Sequence, residues 1–240
     1  MLSNEIKNVP NNIIKSLQNI KGIQGILFTG SRTTKTFSLN SDWDFIILLS
    51  DNQKGYRKTY KIDKELVEIF CHPKKELIEF FKIDPVNRIG ATTHMLSSGI
   101  ILKDDKKILA SIIKQAKNIW EKGPRSIEKS EFQWVGYDIS TYIQDVEDCL
   151  KNNNPAFLLF YQAINEMVKY YYALSGVWLP LPKKRLDDLK KRKPDIYKIV
   201  IKFSKTSNWQ QKAKIIINFG KLLSKHFNLN INGELLKQKS

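Results

Sequence analysis

GILFTGSRTTKTFSLNSDWDFIILL, residues 25–49, is the stretch that decides the fold. It opens on an apolar run, Ile26-Leu27-Phe28, that reads as a buried strand. A small-residue turn follows at Gly30-Ser31, then a polar segment. Asp42-Trp43-Asp44 then leads into a second apolar run, residues 45–49. At a strand-to-helix turn, glycine lets the backbone approach a ligand closely, so the amides after Gly30 and the Ser31 hydroxyl can face a phosphate. Side chains alternate along a strand, so Asp42 and Asp44 point to one face. Two carboxylates on one face repel unless a cation lies between them, and a hard, oxygen-seeking ion such as Mg²⁺ is the natural occupant. A phosphate cradle and a carboxylate pair joined by adjacent strands suit a nucleoside triphosphate.

The same residues carry a family resemblance. Gly30-Ser31, a gap of about ten residues, then Asp42-x-Asp44 flanked by apolar residues resembles the signature of the polymerase-β-type nucleotidyltransferase superfamily. The resemblance implies a mixed sheet and two Mg²⁺ ions held by the Asp pair. It also implies in-line attack of an acceptor hydroxyl on the α-phosphate of a nucleotide such as ATP, with pyrophosphate leaving. A third acidic residue is expected on a neighbouring strand. Alternation in ELVEIF puts Leu66, Glu68 and Phe70 on one face and Glu65, Val67 and Ile69 on the other, and Glu68 matches best in position the acidic residue that the resemblance implies. Its expected role is ligand to a second metal ion or base for the incoming hydroxyl, whereas Glu65, nearer the turn, reads as surface. Arg32 follows the Gly-Ser turn and is a phosphate candidate, or a partner of Asp42 or Asp44 when no ligand is bound.

The chain of 240 residues has room for one large or two modest domains. Hydrophobic residues make up 42% and charged residues 27%, a globular balance that excludes a disordered chain. No apolar run reaches membrane-spanning length, and the N-terminus lacks a signal-peptide layout. Two cysteines, Cys71 and Cys149, have no metal-ligand spacing near the three histidines, so a reduced, cytoplasmic protein is expected. The net charge of +16 attracts polyanions: nucleoside triphosphates, nucleic acid or an acidic membrane surface.

Along the chain, Ile13, Ile14, Leu17 and Ile20 form the stripe of an early helix within residues 1–22. Strands are predicted at 56–62 and 65–70 around a turn at Asp63-Lys64, helices at 74–83 and 86–97, and a last strand at 99–103. Asp104-Asp105 read as the cap of a helix over 106–121. His72 and His94 are isolated and read as structural. The polar segment 121–131 contains Gly123-Pro124 and separates a strand-bearing half from an all-helical half. The predicted architecture is therefore α+β, a mixed-sheet nucleotidyltransferase core over residues 1–124 followed by an all-α bundle over 125–240. Helices are predicted at 127–150, 155–175, 197–203 and 209–227, before a polar tail.

A helical half behind such a core resembles the antibiotic nucleotidyltransferases of bacteria, where the second domain closes over the nucleotide and shapes the acceptor pocket. In that comparison the turn from Trp178 to Pro182-Lys183-Lys184 offers a lysine to the triphosphate, Lys183 first and Lys184 as the alternative. Asp145, Glu147, Asp148 and Glu166 are the acidic residues that could serve an acceptor. The leading reading is transfer of a nucleoside monophosphate to a hydroxyl of a small, antibiotic-like molecule. RNA or protein as acceptor, as in toxin-like relatives, is the alternative, with the cluster KKRLDDLKKRK as its basic surface. A degenerate nucleotide-binding protein is the third.

Overall fold

The computed structural model describes residues 9–33, 37–38 and 40–231. The chain divides into two compact units, Met1–Pro124 and Arg125–Ser240. Residues 1–8, at the start of the expected first-helix segment, and most of the expected polar tail lie outside the described residues.

In the first unit the order is α1 (Asn11–Gln18), β1 (Ile23–Thr29), a short 3-10 turn (Ser31–Thr33), β2 (Trp43–Leu49), β3 (Tyr56–Ile62), β4 (Glu65–Pro73), α2 (Lys74–Asn87), α3 (Ala91–Ser98), β5 (Ile100–Asp104) and α4 (Ile108–Lys122). The five strands form one mixed sheet in the order β3-β4-β2-β1-β5. β2 is central, antiparallel to β1 and parallel to β4. The edge strands β3 and β5 pair antiparallel with β4 and β1. A central strand covered on both faces needs apolar side chains on both, which is why residues 45–49 run unbroken and are all buried.

Alternation splits the core into two layers. Phe28, Phe45, Ile47, Val67 and Ile69 pack with Ile13 and Leu17 of α1. Leu27, Ile46 and Leu48 pack on the other face with Leu77, Leu96, Leu109 and Ile112, from α2, α3 and α4. Each such buried side chain contributes about 1.5–3 kcal/mol relative to exposure. Asp44 and Glu68 occupy even strand positions, so they belong to the α2–α4 face, at the strand ends beyond this layer, and Asp42 lies just before β2.

The helices between β4 and β5 differ from expectation. α2 continues through Pro85 to Asn87, so Val86 belongs to it, and Arg88 ends it in the left-handed region at φ 58°. α3 begins only at Ala91. Its entry is fixed from α2, because the buried Asp84 accepts the Thr93 amide and hydroxyl, each at 2.8 Å. Burial pushes the Asp84 carboxyl above its ordinary value of 3.8, against the pull of those hydrogen bonds. Asp104 does cap the next helix, accepting the amides of Leu109 and Ala110. β4 runs on to Pro73 because its parallel ladder with β2 extends to Leu49.

The second unit is helical in its described residues: α5 (Lys129–Lys151), α6 (Phe157–Leu174), α7 (Pro182–Arg192), α8 (Pro194–Lys205) and α9 (Trp209–Phe227). Phe160, Met167, Tyr172, Ile216, Phe219 and Leu223 fill its core. Lys212 is buried within it, its Nζ donating to the Tyr161 hydroxyl at 3.0 Å and lying 4.8 Å from the Tyr161 and Phe203 ring centres. The charged run KKRLDDLKKR forms α7, which buries only Leu189. Among the described residues no helix is long and apolar enough to cross a membrane.

Candidate active site

Four strands place one residue each in a row: Thr59 faces Glu68, Glu68 faces Asp44, and Asp44 faces Thr29. Neighbours in such a row are about 4.8 Å apart at Cα and share a face. The buried Thr29 donates its hydroxyl to the Met95 carbonyl at 2.7 Å, tying the end of β1 to α3. Gly30 comes next, with φ +80°. A Cβ on Gly30 would lie 2.0 Å from Asp44 Oδ2 and 2.7 Å from its Cγ, so the turn is pressed directly against this carboxylate. Ser31 then opens the 3-10 turn, which Thr33 closes by donating its amide and hydroxyl to the Gly30 carbonyl. Gly30 and Asp44, fourteen residues apart in sequence, are thus adjacent in space.

Asp42 and Asp44 stand at the mouth of β2, both half-buried. Glu68 is one strand over, its side chain 13% exposed. Its Oε1 accepts Arg57 Nε and Nη2, each at 2.6 Å, and the Thr59 hydroxyl at 3.3 Å. The Arg57 guanidinium in turn lies 4.9 Å over the Phe70 ring. Glu68 is therefore neither solvated nor gathered with the aspartates, and among the described residues no three His, Cys, Asp or Glu side chains converge as a metal cluster. The physical reason is the Arg57 ion pair, which draws the carboxylate toward the edge strand. The donors at this sheet end are carboxylate oxygens backed by a glycine turn, a set that suits a hard cation shared with phosphate.

Arg32 is held by the loop before β2 and by Glu65. Its Nε donates to the Ser41 carbonyl at 2.6 Å and its Nη2 to Glu65 at 3.1 Å. The guanidinium stacks 4.2 Å over Trp43, whose indole also donates to Glu65 at 2.7 Å. Trp43 and Glu65 are odd-numbered strand positions, so Arg32 reaches to the face opposite the carboxylates and braces the loop. Glu65 is correspondingly a partner of this brace rather than plain surface.

Lys183 and Lys184 lie exposed in the first turn of α7, within the second unit. Of the acidic residues expected there, Asp148 pairs with Lys151, Glu147 lies 4.0 Å from Lys221, and Glu166 pairs with Lys169 at 2.6 Å. The group around Glu166 includes residues that sequence reading missed. Tyr170 donates to Asp138, and Tyr142 accepts from Gln162 at 3.2 Å. Burial, then Asp138, pushes the Tyr170 phenol far up, with a smaller push from Glu166. His72 is structural, bonded to Glu76 at 2.9 Å, and holds that carboxyl below its ordinary range.

Residues 11–108 match the family described as Polymerase beta, Nucleotidyltransferase. The row of carboxylates and its glycine turn fall inside the match, so this part of the chain is similar to the polymerase-β-type nucleotidyltransferase domain. The enzyme class is therefore nucleotidyltransferase. Among solved structures, the crystal structure of a nucleotidyltransferase-like protein from Exiguobacterium sibiricum is similar at 14% identity, with a TM-score of 0.50 over 89% of this chain and 72% of that one. No curated protein matches.

Proposed function

We propose that the protein is a Mg²⁺-dependent nucleotidyltransferase that moves a nucleoside monophosphate from a triphosphate such as ATP to a hydroxyl of a small, antibiotic-like acceptor. The observation that carries this reading is the row Glu68–Asp44 with Gly30 pressed on Asp44. Asp42 and Asp44 would hold the cation, with Glu68 as the third carboxylate. Bound there, Mg²⁺ offsets the charge of the triphosphate and of the leaving pyrophosphate. The Gly30-Ser31 turn presents amides and a hydroxyl to the phosphates, and a bond forms between the acceptor oxygen and the α-phosphorus as the bond to pyrophosphate breaks. The hydroxyl proton passes to a carboxylate of the row or to water. Lys183, exposed at the start of α7, is a candidate phosphate-binding residue of the helical unit. Asp138, Glu166, Tyr142 and Tyr170 are chemically suited there to a cationic, hydroxyl-rich molecule.

Nucleic acid is the second acceptor reading. The edge strand β3 favours it, since Tyr56, Arg57, Lys58 and Lys61 are all exposed on it. Incubation with α-labelled nucleotides and Mg²⁺ against two pools separates the readings. One pool holds aminoglycosides and lincosamides; the other holds total RNA and cell protein. Label in the first pool supports the small-molecule acceptor, and label on RNA makes β3 the recognition element. Label in neither, with no nucleotide bound, removes the transferase reading of this chain.

A further inference from the structure

We propose that Arg57 is a partner-exchanging residue: it holds Glu68 in the cation-free protein and passes to the nucleotide's phosphates when Glu68 turns to the cation. The inference rests on the reading of Asp42 and Asp44 as the cation site. Three observations carry it. Glu68 is poised beside Asp44 as its register partner, yet its carboxylate is committed to Arg57 through two contacts of 2.6 Å. The two partners differ in freedom, because the Glu68 side chain is 13% exposed and that of Arg57 is 65% exposed on an edge strand. Arg32, the other arginine at this end of the sheet, is engaged with Ser41, Glu65 and Trp43.

The charge balance supports an exchange rather than a fixed clamp. An arriving cation and triphosphate bring positive charge to the carboxylates and negative charge to the open side of the row. Glu68 then gains a stronger partner, a hard cation, than a guanidinium that is itself 65% exposed. Arg57 is left with a planar fork of donors matched to phosphate oxygens. Phe70 beneath the guanidinium provides a surface over which it can turn. No covalent step is involved.

The test uses the full chain and Tb³⁺, a hard oxygen-seeking probe, read by luminescence sensitised through Trp43 without nucleotide. Arg57→Gln should tighten Tb³⁺ binding about tenfold by releasing Glu68, and adding Glu68→Gln should erase the gain. With Ca²⁺ present, Arg57→Gln should weaken binding of a fluorescent ATP analogue by about tenfold. Circular dichroism of each variant reports its fold, and Arg57→Lys gives a second variant that keeps the charge. Tb³⁺ binding that is lost in Asp44→Asn but unchanged in Arg57→Gln would overturn the exchange and make Arg57 a static clamp. Tb³⁺ binding that is unchanged in Asp44→Asn would instead overturn the cation-site reading, and the exchange with it.

Discussion

Gly30 is packed so closely on Asp44 that a single added methyl would sit 2.0 Å from the carboxylate oxygen. The contact joins the two halves of the site, because the turn that would face the phosphates also sets the position of the carboxylate. Gly30→Ala should therefore abolish nucleotidyl transfer. It should also cost roughly 1–2 kcal/mol of stability, from the clash and the left-handed φ of +80°. Urea unfolding beside a transfer assay checks both.

Arg32 offers the opposite test. Removing its guanidinium strips the stack on Trp43 and the bond to Glu65. Arg32→Ala should destabilise the first unit by about 1–2 kcal/mol. Nucleotide affinity, measured with a fluorescent analogue, should change less than twofold once the fold is intact, as suits a brace. A large loss of affinity with unchanged stability would return Arg32 to the phosphates.

Asp84 gives a pH signature. Its carboxyl is raised by burial, so the folded state holds the proton more tightly than the unfolded state. Stability is then greatest below the ordinary value of 3.8 and falls as pH rises through the raised value. Asp84→Asn keeps an acceptor for Thr93 without this cost. The wild type should lose stability relative to that variant between pH 4 and pH 7, and urea midpoints at the two pH values measure it. Asp84→Ala should cost about 1–2 kcal/mol at pH 4, because the start of α3 loses its cap, and less at pH 7, where the wild type has itself lost stability.

In the second unit, Lys212 gains from two rings and a hydroxyl rather than from a carboxylate. Lys212→Met keeps the apolar stem and should cost about 1 kcal/mol. Tb³⁺ binding by the first unit should be unchanged in that variant.

Much of this was legible in the sequence for identifiable reasons. The unbroken run 45–49 marks a strand covered on both faces, and alternation in ELVEIF separates Glu68 from Glu65, although only the ladder with β2 sets Glu68 beside Asp44. The turn at Asp63-Lys64 even fixes the hairpin register, since Ile62 facing Glu65 makes Thr59 face Glu68 and brings Arg57 beside it. That inference was available, but Arg57 was missed because β3 reads as a plain basic edge. The fate of Arg32 was not legible, because it depends on a loop folding back to stack the guanidinium on Trp43 across the sheet. The start of α3 was misjudged for a similar reason: its cap, Asp84, comes from the preceding helix rather than from the residue before it. Side-chain partners between elements follow from tertiary packing, which periodicity along one element does not encode.

The most direct measurement is the rate of α-labelled nucleotide transfer, across a Mg²⁺ titration, for the wild type, Asp42→Asn and Asp44→Asn. Loss of the carboxylate charge that holds the cation should lower the rate roughly a thousandfold in each variant, equivalent to about 4 kcal/mol of transition-state stabilisation. The fold should be unchanged by circular dichroism. Transfer by either variant at the wild-type rate and with the wild-type Mg²⁺ dependence would contradict the assignment of the site.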